Sequence, residues 1–403
     1  MISTANLVVA IALSYLGART GDKAHAEIIS VFNQMKPHGY TARLNDPWCA
    51  IFWTVVQILS GNASCVPLSA SCSQIIADAK ALGMWVENES VTPKIGWGVL
   101  YDWQDSGVGD NKGAPDHIGI CYAVDEKYIY VIEGNKGIGE VGKRAILING
   151  RYLRGFVAPH YTPVKKATYR PTTKYKGKVP TSLVRYGSEG INAKRAQTFL
   201  NWAIGVKLKT DGKCGRLTTE SIITYQATEG IKASGIFGKK TRAKARKLAS
   251  TDPMKPWYDA QKKQYDWSKN QAYKWTTPTV KSSRVRGTCI TFPAVSLQRL
   301  GLLPKGGYVF WDNGKLAGSV PFLKKHPETF EILYPKKVPS KAHLKKGDIC
   351  CFSTHTMIYA GTDKKGRMRW NTMGKSKRGM NVIYPYFDSK RVMAIIRLKG
   401  VKL

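Results

Sequence analysis

Two cysteines of this 403-residue chain stand where helices are expected to begin, and each is followed by a histidine and a polar acceptor. Cys49 follows Pro47-Trp48 and opens the apolar run Ala50–Leu59, which stops at Gly61. Proline suits a first helical turn and glycine a C-terminal cap, so a helix is predicted with Cys49 near its start. There the helix dipole and the unpaired N–H groups favour thiolate over thiol. Thiolate is the form that attacks a carbonyl carbon. Downstream, Asp116-His117-Ile118-Gly119-Ile120, a charged turn at Asp125–Lys127 and Tyr128–Ile132 read as a β-hairpin that continues into Glu133-Gly134-Asn135. Glu133 and Asn135 are two apart and so share one strand face. An acceptor there holds one imidazole nitrogen of His117 and leaves the other for the thiol. A lone cysteine would read as a core residue; this ordered set reads as nucleophilic catalysis.

The order recurs near the C-terminus. Cys289 opens Cys289-Ile290-Thr291-Phe292, a run that reaches Gly301, and Lys346-Gly347-Asp348-Ile349 precedes a strand leading to His355. Cys49 to His117 is 68 residues and Cys289 to His355 is 66, while Glu133 and Asn371 each fall 16 past their histidine. Asp125 and Asp363 both fall eight past it, in the expected hairpin turn. By position Cys289, His355 and Asn371 are nucleophile, base and orienting acceptor. Two departures stand against this second site. Pro293 removes a helical N–H four residues after Cys289, and Met373 stands where the first set has Asn135. A binding domain on an enzyme-like fold stays open beside a second active centre.

These sets need a scaffold of helix followed by antiparallel strands, twice. Thr162–Ser182, with Pro163, Pro171 and Pro180 and no apolar period, reads as a linker, and a second break falls near Ser250–Pro256. The blocks are then 1–161, 183–249 and 251–403, joined by the linker 162–182. The middle block repeats itself: Gly212, Gly215 and Thr218 recur 23 residues on as Gly235, Gly238 and Thr241, each time a turn and a helix start. Between the copies, Ile222, Ile223 and Gln226 are spaced for a helix face. At the start of the C-terminal block, Trp257-Tyr258, Tyr265, Trp267, Tyr273 and Trp275 alternate with Lys and Gln; a helix packing its aromatics inward is preferred to an exposed binding platform.

Three resemblances follow. Trp48-Cys49-Ala50, Leu100-Tyr101-Asp102-Trp103, Asp116–Ile120 and Glu133-Gly134-Asn135 lie in the order of the CHAP family of papain-like cysteine amidases and peptidases, over about residues 1–160. That likeness implies Cys49 as nucleophile, His117 as base, Glu133 as its orienting group, Asn135 in support, and hydrolysis of an amide in peptidoglycan. The middle block resembles the three-helix peptidoglycan-binding module over about Arg185–Leu248, with Cys214 and Ser234 departing from its motif. The last block resembles the NlpC-type branch of papain-like hydrolases, which carries a Gly-Asp before the strand that leads to its histidine. Together they imply an α+β chain with two papain-like cysteine hydrolase domains flanking a small three-helix module, of phage endolysin type. A virion-associated entry lysin would read alike. The muramyl–alanine amide, a stem-peptide bond and a cross-bridge bond all stay open.

Charge fits such a partner. The chain carries 63 Lys+Arg against 27 Asp+Glu, a formal +36. Residues 1–161 hold 13 cations and 14 anions, while the blocks behind them hold 50 and 13. A neutral front and a cationic rear suit chemistry before and attachment behind, on peptidoglycan and anionic wall polymers. Lys and Arg are dispersed and no nucleic-acid motif occurs, so a nucleic-acid partner is not expected. No apolar run reaches membrane-span length. Leu7–Leu16 lacks a preceding cation and reads as a helix ended near Gly17 rather than a signal segment, which places the protein in the host cytoplasm before release. The eight cysteines show no C-x-x-C pair, so no zinc site is expected. No cofactor is expected either. Calcium stays open because Asp102, Asp105, Asp110 and Asp116 cluster before His117, although they do not match an EF-hand loop and read better as a solvated turn.

Overall fold

The computed structural model describes residues 3–88, 90–104, 113–169, 171, 173–252, 254–268, 291–303, 320–327, 329–333, 344–352, 355–373, 378–383 and 392–399. It is mixed α+β with two antiparallel sheets. The chain divides into two units. Residues 1–167, 177–201 and 206–245 form the first; 168–176, 202–205 and 246–403 form the second.

The first unit opens with α1 (Ala5–Ser14), α2 (Lys23–Met35), α3 (Cys49–Leu59) and α4 (Cys72–Ala81). Six strands follow: β1 (Trp85–Val86), β2 (Gly98–Tyr101), β3 (His117–Val124), β4 (Tyr128–Lys136), β5 (Glu140–Leu147) and β6 (Leu153–Val157). Their order across the sheet is β1-β6-β2-β3-β4-β5, every pair antiparallel. The period-2 alternation of the strands sorts their side chains onto two faces. Leu100, Ile118, Ile120 and Ile132 pack under the helices with Leu7, Ile28, Phe52 and Val56. Val99, Tyr101, Cys121, Val131 and Phe156 form a smaller cluster on the opposite face. The sequence's stop signals hold: Gly17 and Gly61, at φ +88° and +77°, follow α1 and α3 in the left-handed region glycine tolerates. Pro47 lies before Trp48, the N-cap of α3, rather than inside its first turn.

The middle block forms α5 (Ile191–Ile204), α6 (Arg216–Thr228) and α7 (Lys239–Ser250). Its repeat has a physical cause. The side-chain amide of Gln197 accepts from the Gly212 N–H at 2.9 Å and donates to the Thr218 hydroxyl at 3.3 Å. Gln226 does the same for Gly235 and Thr241, at 2.9 Å each. Each buried glutamine thus satisfies a glycine turn and the helix start after it, which would otherwise leave buried donors unpaired. Ile223 of α6 belongs to the core under the first sheet, and Asn6 of α1 donates to the Ala233 carbonyl at 2.8 Å. The small module is therefore packed onto the first block's helices.

The second unit contains α8 (Lys255–Ser268), α9 (Thr291–Gln298) and α10 (Val320–Lys325), then β7 (Phe330–Leu333), β8 (Ile349–Phe352), β9 (Thr356–Thr362), β10 (Met368–Met373), β11 (Arg378–Ile383) and β12 (Val392–Leu398). Its sheet order is β7-β12-β8-β9-β10-β11. Counting strands from the start of each sheet, this is the order of the first sheet, so both blocks are built on one six-stranded connectivity. In α8, Trp257 is fully buried and donates to the Gly347 carbonyl at 3.1 Å, the inward packing the aromatic stretch predicts. Tyr273 and Trp275 lie outside the described residues, as does the side chain of Trp267. Pro293 sits in the first turn of α9, where a missing N–H costs no intrahelical bond. No helix among the described residues is long and apolar enough to cross a membrane.

Candidate active site

Cys49 is the first residue of α3 and 6% exposed. The other three helices packed beneath this sheet have side-chain caps, from Thr4, Asp22 and Ser71. In α3 the N-cap is Trp48, which supplies none. The first N–H groups of α3 are thus left without a side-chain acceptor and face an anion at Cys49 or a developing oxyanion beside it. His117 opens β3, the neighbouring layer, and is 8% exposed. Its Nε2 lies 3.4 Å from a Glu133 carboxylate oxygen, which leaves Nδ1 for the thiol.

Glu133 is fully buried. Register places it opposite Gly119, two residues past His117 and on the same face. A Cβ at position 119 would come within 2.7 Å of Glu133 Cγ and 2.4 Å of Val131. The missing side chain is what lets the carboxylate reach diagonally to the imidazole. Arg144 of β5 holds the other side of Glu133, its Nε donating to both oxygens at 2.7 and 3.0 Å. A charge-assisted contact of this kind keeps a buried carboxylate ionised.

The electrostatics are those of an ion pair. The Cys49 thiol is held well below its ordinary 9, most by a hydrogen bond from the Cys72 thiol, then by His117 and the Ile118 N–H, against burial that opposes it. Cys72, which opens α4, is pushed well above 9 by that same bond and keeps its proton. Burial opposes charge on His117, yet Cys49 and Glu133 outweigh it and hold the imidazolium up to about 9. Burial likewise works to raise the Glu133 carboxyl, but His117 and Arg144 keep it below the ordinary range. All three shifts run toward the charged forms, thiolate, imidazolium and carboxylate.

Asn135 does not follow the alternation expected of it. Between Glu133 and Lys136 the pairing with β5 shifts by one residue, and Asn135 takes φ +55°. It sits at a bulge, where two-residue periodicity fails, and its amide oxygen approaches Gly139. Asp102 and Asp116 accept backbone N–H bonds from Gln104 and Trp103, at 3.0 and 2.7 Å. Asp105 and Asp110 lie outside the described residues, and no cluster of three metal-ligating side chains occurs among the described ones.

The second set is placed differently. Cys289 lies outside the described residues. His355 immediately precedes β9, and its Nε2 is 2.8 Å from Thr372 Oγ1. Asn371 lies opposite Ile358, an odd number of residues from His355, and its amide donates to Gln261 of α8 at 2.7 Å. Carrying that register one step sets Thr372 across from Met357, two past His355, as Glu133 is across from the residue two past His117. The acceptor beside His355 is therefore Thr372 and not the Asn371 that equal spacing selects, because the turn between Thr362 and Met368 is one residue longer than the turn between Val124 and Ile129, while the bulge falls five past the histidine in both hairpins. Burial alone drives His355 down to about 4, so it is neutral where His117 is charged.

Sequence reasoning missed Arg144, Cys72 and Thr372. An isolated arginine in a strand and a cysteine 23 residues past the nucleophile carry no motif; only the fold brings them in.

No family model and no curated protein matches the chain. Among solved structures, a periplasmic domain of the EpsAB fusion protein of the Vibrio vulnificus type II secretion system aligns at 12% identity, covering 63% of this chain and 91% of that chain, with a TM-score of 0.17. A likeness that slight carries no argument about fold or function.

Proposed function

We propose that the protein is a cysteine-dependent peptidoglycan hydrolase of endolysin type, whose first block is a CHAP-like, papain-like domain cleaving an amide of the wall peptide. The observation that carries this reading is the Cys49–His117–Glu133 arrangement, with its thiolate stabilised and its imidazolium held up to about 9. In this mechanism the Cys49 thiolate adds to the amide carbonyl carbon, and the oxyanion forms beside the first N–H groups of α3. The His117 imidazolium gives its proton to the departing amine, leaving a thioester and a neutral imidazole. His117 then takes a proton from water, hydroxide adds to the thioester, and the thiolate departs with the imidazolium restored. Glu133 orients the ring throughout and stays ionised.

Support for the wall as substrate is the resemblance together with the cationic residues behind position 161. Those charges suit anionic wall polymers, at the end of infection or at entry. The neutral His355 favours one working centre, with the second unit serving attachment on a related fold. The experiment is loss of turbidity of a cell suspension by the full-length protein and by Cys49→Ala, followed by mass spectrometry of the digest. Lysis by the variant at the wild-type rate would sink the reading.

A further inference from the structure

Beyond the three charged groups, one feature at the site has chemistry the hydrolytic steps do not use. Arg144 spends Nε on Glu133, and among the described residues neither η nitrogen has a hydrogen-bond partner. Its side chain is 32% exposed. The guanidinium lies over the Trp103 ring, 4.9 Å from its centroid, and 5.8 Å from that of Tyr101. Tyr101 and Trp103 stack at 4.7 Å, and the Trp103 ring is 6.2 Å from that of His117. Tyr101 is fully buried, so it fixes Trp103 from behind, while Trp103 itself is 37% exposed. Stacking restricts the long arginine side chain, so less freedom is lost when its fork engages a ligand. The result is a fixed planar donor at the solvent edge of the site, one carboxylate away from the catalytic imidazole.

We infer that Arg144, held over Trp103, is the specificity subsite for a free carboxylate on the residue that flanks the cleaved amide. This rests on the proposed hydrolysis of wall peptides and names the substrate class within it: an anionic peptide in preference to its neutral carboxamide. Guanidinium forks match carboxylates in geometry and charge, and a carboxamide offers one weaker acceptor. Arg144 then has two duties, positioning Glu133 through Nε and reading the substrate through its η nitrogens. Discrimination of roughly tenfold to a hundredfold is the scale of one such charge-assisted contact.

The test separates the two duties. With the cut bond identified from a digest, two synthetic peptides carrying it are compared, alike except for a carboxylate or a carboxamide on the flanking residue. The wild-type protein is expected to favour the carboxylate in kcat/KM by at least about tenfold. Arg144→Gln is expected to bring that ratio close to one, on top of any slowing of both substrates through Glu133. Trp103→Ala should lower the ratio and Trp103→Phe should keep most of it. Equal kcat/KM for the two peptides with the wild-type protein overturns the subsite without any variant having to fold. So does Arg144→Gln slowing both peptides by one factor with the ratio intact, since Arg144 would then act only through Glu133. A wild-type protein that yields no digest at all would strike the hydrolase reading itself, and the subsite with it.

Discussion

Glu133 lies across the strand pair from Gly119, and it reaches His117 on the diagonal through the space a side chain at 119 would fill. The place of this carboxylate beside the imidazole thus depends on position 119 carrying no side chain. A methyl group there would meet Val131 and Glu133 well inside contact distance. Gly119→Ala is expected to destabilise the first unit by roughly 1–3 kcal/mol, the usual cost of overpacking a core. It should lower kcat/KM on the order of a hundredfold, because a displaced Glu133 misplaces the imidazole. Chemical denaturation and turbidity assays check the two effects. A folded Gly119→Ala protein with full activity would show that Glu133 does not orient His117.

The ion pair sets a pH profile. Hydrolysis should rise on the acid side as Cys49 ionises and fall as the pH passes about 9, where His117 loses its proton. The raised His117 also stabilises the fold. That contribution is complete below the unfolded value of 6.5 and is lost as pH climbs through about 9, because only the folded state holds the proton in between. Glu133→Gln removes one of the two partners that support the imidazolium, so the alkaline limb should move down. Iodoacetamide trapping of Cys49 from pH 5 to 10, read by mass spectrometry, follows the thiolate independently of turnover. An alkaline limb unmoved in Glu133→Gln would refute the pairing.

Much of this was legible from residue order. Helix stops at Gly17 and Gly61, the hairpin bearing His117 and Glu133, and Cys49 at a helix start all follow from local chemistry that one stretch of chain decides. What failed was counting across a bulge and a turn. A strand's two-residue period is a local rule, and one extra residue between Glu133 and Lys136 removes Asn135 from the face it was assigned. In the second unit an interval of 16 residues pointed to Asn371, and a hairpin turn one residue longer brings Thr372 to His355 instead. Arg144 and Cys72 were out of reach because their roles come from β5 lying beside β4 and α4 beside α3, which no spacing encodes.

Ile223 couples the middle module to the first block. It is 2% exposed and lies in one core with Leu7, Phe52 and Ile118, although more than 100 residues separate it from any of them. Removing most of such a side chain usually costs about 2–5 kcal/mol. Ile223→Ala should therefore loosen the block that carries Cys49, not only the module that carries the mutation. Hydrogen exchange in peptides from α1 and β3 is expected to speed up together with exchange in α6. Faster exchange confined to residues 183–249 would show that the module is an independent domain.

His355 offers the contrast that decides whether the chain has one centre or two. It sits before the third strand of its sheet, as His117 opens the third strand of the other, and its Nε2 lies 2.8 Å from the Thr372 hydroxyl. Burial lowers the imidazole to about 4. An imidazole that gives up its proton so readily is a weak base for a thiol and a poor counter-ion for a thiolate. The same shift makes a stability prediction with a definite sign. Between about pH 6.5 and 4 the unfolded chain binds a proton that the folded one refuses, so the second unit should lose stability as the pH falls through that window. His355→Gln should flatten that loss, as read by denaturant unfolding at pH 7 and pH 4.5. For function, full-length Cys49→Ala is expected to yield no digestion product, whereas Cys289→Ala and His355→Gln should match the wild-type products and rates. Product from Cys49→Ala that disappears when Cys289→Ala is added would establish a second working centre, and would require that His355 gains in the enzyme–substrate complex a partner that raises it.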